Sequence, residues 1–201
     1  MRDILGITGT PGTGKKSVAN ELSGMLGCTS KDLNALAREF GCSENVGDSE
    51  VVDTNRLRRS LRGRDWGRVV FHGHLLPEIF RGEEIDSVAV LRCEPTILKR
   101  RLQARGYLGG HLRDNLEAEL IGVSLSASLR SFGAARVAEF DTSSADPKDI
   151  AAAIVTWHKA RRGSRRGGKR EWVDWTTRYE SAAELTSLLL SSSSRTESAF
   201  T

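Results

Sequence analysis

The stretch Gly9-Thr10-Pro11-Gly12-Thr13-Gly14-Lys15-Lys16-Ser17 constrains this chain more than any other segment, because of what lies on either side of it. It follows a short, mostly apolar run from Ile4 to Thr8. It opens a segment in which Val18, Leu22, Met25 and Leu26 recur at helical spacing before Gly27, a natural helix stop. Strand, glycine-rich loop and helix, in that order, place backbone N–H groups at a helix N-terminus. Glycines let those groups turn inward around a polyphosphate, and the helix dipole adds its positive end. The Lys15 ammonium can then reach the β- and γ-phosphates. An incidental glycine-rich turn would not need this context, so the loop is expected to be a phosphate cradle. In the usual pattern a Ser or Thr directly follows the lysine and ligates magnesium. Here that place is Lys16, which keeps its backbone N–H for a phosphate, and the hydroxyl comes one residue later at Ser17.

The rest of the chain repeats the alternation. Helices are predicted from Asp32 to Phe40, from Asn55 to Leu61, and from Glu94-Pro95 to Arg105. A single long helix is predicted near Leu112 to Leu129, and another from Asp146-Pro147 through Ile150, Ile154 and Trp157. Arg68 to His72, Ser87 to Leu91 and Arg136 to Phe140 read as strands, and Gly41 to Ser49 reads as loop. Short apolar strands alternating with helices imply βαβ units and a parallel sheet covered on both faces. The expected fold class is α/β, a P-loop NTPase with a parallel sheet flanked by helices. At 201 residues there is room for one such domain, placed at residues 1–160.

Beyond about Arg161, Gly, Arg and Ser take over, and residues 161–201 are expected to be a largely disordered tail. The net charge of +4 is concentrated between Lys159 and Arg170, either a solvated end or a contact for an acidic partner such as RNA. Cys28, Cys42 and Cys93 are odd in number and lack metal or redox spacing, which suits free thiols in a reducing compartment. No apolar leader is visible and Leu188-Leu189-Leu190 is too short to span a bilayer, so a cytoplasmic protein with no membrane partner is expected.

Phosphoryl transfer needs cations around the transferring oxygens. Arg101 and Arg105 share a helical face just before Gly106-Tyr107 and Gly109-Gly110, the make-up of a glycine-hinged lid, although surface arginines on an exposed helix look the same. Asp53 follows an apolar pair and is placed to meet magnesium or an acceptor's ribose, or to cap the helix that starts at Thr54. His72 and His74 lie two apart at a strand end and point the same way. A position in the active site fits them better than a metal pair, since no third ligand is evident. Glu78 is a further carboxylate nearby.

The segments ITGTPGTGKKS, VVDTNRL, HGHLLPE, VLRCEPTILKRRLQARGY and DNLEAELIGVS, with EWVDW in the tail, resemble the adenylate kinase isoenzyme 6 family over roughly residues 1–160. Adenylate kinases also carry their hydroxyl one position later than the usual loop. The resemblance implies a fold of the nucleoside monophosphate kinase type. It implies ATP and Mg2+ as cofactors, AMP or another nucleoside monophosphate as acceptor, and ATPase activity. A small-subunit ribosomal protein and rRNA are the partners it implies. It gives Gly12, Gly14, Lys15, Lys16 and Ser17 to the ATP phosphates, with Ser17 and Asp53 toward the metal. Residues 30–53, Asp53 included, go to the acceptor region and residues 104–114 to the lid, where Arg105 touches ATP. Lys15, Arg105 and His74 are the implied catalytic residues. The family carries an acid two residues before that histidine, and here the place is His72. Two functions stand side by side, a nucleoside monophosphate kinase and an ATP-gated ribosome assembly factor. A kinase for a small metabolite would keep the loop but not the RGY-to-DN stretch.

Overall fold

The central strands are apolar runs buried on both faces, as a parallel sheet between helices requires. In the computed structural model, which describes residues 3–47, 49–163 and 172–190, β1 (Asp3–Thr8) leads through the glycine loop into α1 (Lys15–Leu26). Next come β2 (Thr29–Asp32), α2 (Leu33–Glu39), β3 (Ser43–Val46), β4 (Ser49–Val52), α3 (Thr54–Leu61), β5 (Arg68–His72) and α4 (Leu76–Ile79). β6 (Ser87–Arg92), α5 (Pro95–Gln103), α6 (Gly109–Leu120), α7 (Val123–Phe132), β7 (Val137–Asp141), α8 (Pro147–Gly163) and α9 (Ala182–Leu190) complete the chain. The main sheet has the order β2-β5-β1-β6-β7, and its pairings are all parallel.

Side chains alternate across this sheet, and the alternation sorts the core into two layers. Leu5, Ile7, Val70, Ala89 and Leu91 pack with Val18 and Leu22 of α1 and Ile150 and Ile154 of α8. Ile4, Val69, Phe71, Val88 and Val90 face the other way, onto Leu33, Leu57, Leu76, Leu125 and Phe132. Gly6 belongs to that second face. A Cβ there would lie 2.6 Å from Leu76 Cδ2, so α4 rests on bare backbone. His158 ties α8 to the amino-terminal edge of the sheet, with Nδ1 2.8 Å from Ser87 Oγ and Nε2 2.9 Å from Asp3 Oδ1. Ser87 is closed off from solvent, so this Ser-His-Asp string is an anchor and not a hydrolytic site.

Two expectations are corrected, and an edge strand and a packed part of the tail are added. Gly41 to Ser49 is not loop throughout. Ser43–Val46 pairs antiparallel with Ser49–Val52, a hairpin of four-residue strands, SENV and SEVV, too short and mixed to show a strand alternation. Thr29–Asp32 is an edge strand that the apolar-run criterion missed because its sequence is TSKD. The long helix predicted for Leu112 to Leu129 is two. Gly122 adopts φ 67°, and the Arg92 guanidinium lies 3.5 Å from where its Cβ would stand, so the chain turns around that side chain. Residues 172–190 of the tail pack onto the domain. Trp175 is fully buried, the Tyr179 hydroxyl donates to Glu94 Oε1 at 3.1 Å, and α9 packs on α6. Most of the basic stretch from Lys159 to Arg170 lies outside the described residues, as does the serine run.

Candidate active site

Parallel strands deliver their carboxyl ends to one edge, and ligands of such sheets bind there. Past β1 the loop is wedged between β6 and α5. A Cβ on Gly9, at φ 143°, would lie 2.4 Å from the Leu91 carbonyl oxygen, and one on Gly12, at φ 91°, would lie 2.7 Å from Leu98 Cδ1. Gly14 is the N-cap of α1 and supplies no side chain to its first turn, which leaves those N–H groups for whatever enters the cleft. Lys15 Nζ donates to the carbonyls of Gly9 at 2.8 Å and Thr10 at 2.9 Å. Enclosure by the loop lowers the ammonium's pKa to about 8, with Arg105 lowering it further and Glu119 and Asp32 opposing. The lysine is thus charged at neutral pH but short of anionic partners, a state that a phosphate would relieve.

Two cavities meet at the loop. One, of about 240 Å3, is lined by Lys15, Lys16, Asp32, His72, His74 and Tyr107. The other, of about 370 Å3, is lined by Arg101, Ala104, Thr142, Ala145, Pro147 and Ile150. Gly12, Gly14, Ser17 and Arg105 line both. Burial lowers the His72 pKa, and Lys15 and Lys16 lower it further against the pull of Asp32, so the ring is mostly neutral at pH 7. The cleft walls strip water from the His74 ring, and with Lys15 nearby its pKa is lowered too.

Behind the loop lies a buried ionic cluster. Thr10 Oγ1 donates to Glu119 Oε2 at 2.6 Å, while Glu119 Oε1 accepts from Arg92 Nε at 2.7 Å, Cys93 N at 3.0 Å and Trp175 Nε1 at 3.1 Å. Arg92 also donates to Glu139, to the Glu119 carbonyl and to the Val173 carbonyl. Burial by itself disfavours the guanidinium charge, and Glu119 and Glu139 together more than offset this, so its pKa is raised. The phosphate loop, the end of β6, α6 and the tail thereby share one carboxylate.

Gly12, Gly14, Lys15, Lys16, Ser17, Arg105 and His74 come together as the sequence reading expected, with His72 beside them. Asp53 does not join them. Its Oδ1 accepts from Arg56 N at 2.8 Å as the N-cap of α3, and it lines neither cavity, so its pairing with Ser17 toward a metal is corrected. Arg101 departs from the lid as well: it donates to the carbonyls of Thr142 and Ser143 and props the loop after β7. Gly109 and Gly110, expected as hinges, are the first residues of α6. The reading placed Asp32 and Asn34 in the acceptor region and Tyr107 in the lid without giving them individual roles, and it missed Thr142 and Glu119. Asp32 reads locally as nothing more than an N-cap, and only the pairing of β2 with β5 brings it to the cleft. Among the described residues no group of three His, Cys, Asp or Glu could hold a metal ion unaided.

A family model described as AAA domain matches residues 5–122. A protein named "Putative adenylate kinase" from Thermococcus onnurineus (strain NA1) is 35% identical over 182 residues, covering 90% of this chain and 96% of the relative. One of the same name from Pyrococcus furiosus is 35% identical over 183 residues, covering 88% and 93%. Among solved structures, a shikimate kinase from Acinetobacter baumannii superposes with a TM-score of 0.59 at 17% identity, covering 81% of this chain and 96% of that one. A gluconokinase from Sinorhizobium meliloti gives 0.52 at 17% identity, covering 80% and 94%. These likenesses agree with a P-loop kinase fold of the nucleoside monophosphate kinase type, five parallel strands between helices. With a phosphate loop, a free-ended α1 and two cavities meeting at one lysine, and with relatives this similar along almost their whole length, the chain belongs to the adenylate-kinase-like family.

Proposed function

We propose that this protein is a nucleoside monophosphate kinase that moves the γ-phosphoryl group of ATP to AMP or another monophosphate. The observation that carries the reading is the pair of cavities on either side of one phosphate loop, sharing Gly12, Gly14, Ser17 and Arg105. A phosphoryl group moving between two nucleotides needs such an arrangement, with donor and acceptor reaching one point from opposite sides. The larger cavity, between α5 and the loop after β7, suits the donor's nucleoside. The cavity with Asn34, His74 and Tyr107 suits the acceptor's phosphate, and residues 30–53 extend that side.

In the reaction an oxygen of the acceptor phosphate forms the new P–O bond as the bond from the γ-phosphorus to the β-phosphate oxygen breaks. Lys15 would exchange its two carbonyl partners for phosphate oxygens, and its charge, enclosed by the loop, acts there with little solvent screening. Residues 104–114, with Arg105 on the 104–108 connection between α5 and α6, would close from the open side over the nucleotide as a lid that excludes water. His74, mostly neutral, can accept a hydrogen bond from bound nucleotide or water. The residues fit Mg2+ arriving with ATP, because the Ser17 hydroxyl lies at the mouth of the loop and Asp32 lines the same cavity. Bound there, the ion would neutralise phosphate charge. Water entering in place of the acceptor would give ATPase activity.

A coupled assay tests this. Purified protein with ATP, Mg2+ and AMP should make ADP, and Lys15→Ala should lower kcat about 10²–10³-fold. Arg105→Ala should lower turnover far more than ATP binding. No ADP above the Lys15→Ala background would sink the kinase reading. The second reading, an ATP-gated assembly factor with little turnover, is favoured by His72 at the place where the resembled family carries an acid. The resemblance adds a small-subunit ribosomal protein and rRNA as its partners, and a role in small ribosomal subunit maturation in the cytoplasm. Recovery of such a ribosomal protein that does not change with ATP would count against gating. Among the described residues no helix is long and apolar enough to cross a membrane.

A further inference from the structure

α3 and the turn after it lead to the amino end of β5, the edge of the sheet opposite the phosphate loop, and they carry a concentration of positive charge. Between Thr54 and Arg68 the chain has six arginines and one aspartate. α3 buries Leu57 and Leu61, and the helical period fans Arg56, Arg59 and Arg62 about its opposite side. All three are exposed, and their side chains carry no ion pair or hydrogen bond among the described residues. The other three are held. Arg58 lies 3.8 Å from Glu84 and Arg68 lies 3.8 Å from Asp3, while Arg64 donates from Nε to the Ser60 carbonyl at 2.8 Å and covers the Phe40 ring. Arg58, Arg62 and Arg64 also line a cavity of about 90 Å3, with Trp66 in its wall. The two acids of that cavity are engaged, Asp65 Oδ1 by Gly67 N at 2.9 Å and Glu84 Oε2 by Arg81 N at 2.7 Å. It shares no residue with the two cavities at the loop.

Helix stability does not account for this stripe. Cations near a helix C-terminus complement the dipole, which suits Arg59 and Arg62, but Arg56 stands in the first turn, where a cation is unfavourable. No large exposed apolar side chain lies between residues 54 and 68, so a protein partner would find no anchor to bury there. A phosphate backbone needs none, since neutralising its charges and releasing its counterions drives the binding. Guanidinium forks match phosphate oxygens two at a time, and side chains three apart on a helix stand about 5–6 Å from one another, so successive cations can track successive charges. We propose that the outer face of α3, from Arg56 to Arg62, is a docking surface for the phosphate backbone of a polynucleotide, read by charge and not by base sequence. Because Arg56, Arg59 and Arg62 line neither loop cavity, a polynucleotide and ATP can be bound together.

The test is fluorescence anisotropy of the full chain with a short, labelled single-stranded RNA of mixed sequence, in excess ATP and Mg2+ to occupy the loop. The natural protein should bind it, and more weakly as salt rises. The triple variant Arg56→Gln, Arg59→Gln, Arg62→Gln removes three cations that hold nothing else in the fold. Its affinity should be about 100-fold lower at about 0.1 M salt, and the slope of log affinity against log salt about 2 shallower, from the roughly 0.7 that each single-strand phosphate contributes. Its ADP formation should equal that of the natural protein, and circular dichroism checks that it folds. A second triple variant, Arg165→Gln, Arg166→Gln, Lys169→Gln, neutralises the basic stretch after α8 and should keep most of the affinity. Three results would overturn the proposal: no RNA binding by the natural protein, an α3 variant with the same affinity and slope, or a tail variant that loses the larger share. Labelled poly-L-glutamate bound as tightly as the RNA would make the surface a site for acidic protein and overturn it too. None of these outcomes touches the kinase reading, whose own failure is the absence of ADP formation by the natural protein.

Discussion

Glu119 gives the sharpest quantitative expectation, because one carboxylate serves four donors from three parts of the chain. Replacing it with alanine removes the acceptor of Thr10 Oγ1, Arg92 Nε, Cys93 N and Trp175 Nε1 together. Arg92 has a side chain only 1% exposed, so it cannot turn to water for compensation. Breaking a buried pair by removing one partner costs about 3–5 kcal/mol. Glu139 and two carbonyls remain on the guanidinium, which puts Glu119→Ala near the lower end, about 3 kcal/mol. For a chain of this size each kcal/mol lowers the melting temperature by about 2–4 °C, so a fall of roughly 6–12 °C is expected by calorimetry or circular dichroism. Because Thr10 belongs to the phosphate loop, ATP affinity should fall as well, beyond what any loss of folded protein explains. Glu119→Gln, which keeps the shape and one acceptor oxygen, should lose less on both counts. A melting temperature for Glu119→Ala within about 2 °C of the natural protein would refute the claim that this carboxylate neutralises a trapped charge.

Two further expectations follow from the loop. Gly12→Ala puts a Cβ 2.7 Å from Leu98 Cδ1 and 3.0 Å from Leu102 Cδ2 at a φ of 91°, so it should cost about 1–3 kcal/mol and weaken ATP binding; unchanged melting would mean that the loop is not wedged against α5. The pKa of Lys15 near 8 in the free protein should make ATP affinity fall about tenfold per pH unit above pH 8, as the ammonium that phosphate requires is lost. Titrations from pH 7 to 9 check this. Lys15→Arg, which stays charged, should flatten the dependence, and a natural protein with no slope there would contradict the ammonium's role.

Much of the fold and part of the site were legible in the residues alone. SVAVL and RVVFH are apolar runs of strand length, and a glycine loop between strand and amphipathic helix has few uses other than phosphate. Local chemistry therefore determined β1, β5, β6, α1, the parallel sheet and the cradle from Gly12 to Ser17. Tertiary structure decided what local chemistry leaves degenerate. TSKD becomes a strand only because an existing sheet edge offers it partners, and its last residue thereby becomes a cleft acid instead of a mere cap. Asp53 and Asp32 carry the same N-cap signal in the sequence, and they differ only in which strand precedes them and where that strand ends. Leu112 to Leu129 has the periodicity of one helix. It breaks at Gly122, which takes a left-handed φ of 67° beside the buried Arg92 guanidinium. Trp175 looks like part of a polar tail until its indole reaches Glu119, a partner 56 residues away. Periodicity and turn chemistry act within a few residues, whereas the pairing of charges and the meeting of strand ends are set by distances that the chain acquires only on folding.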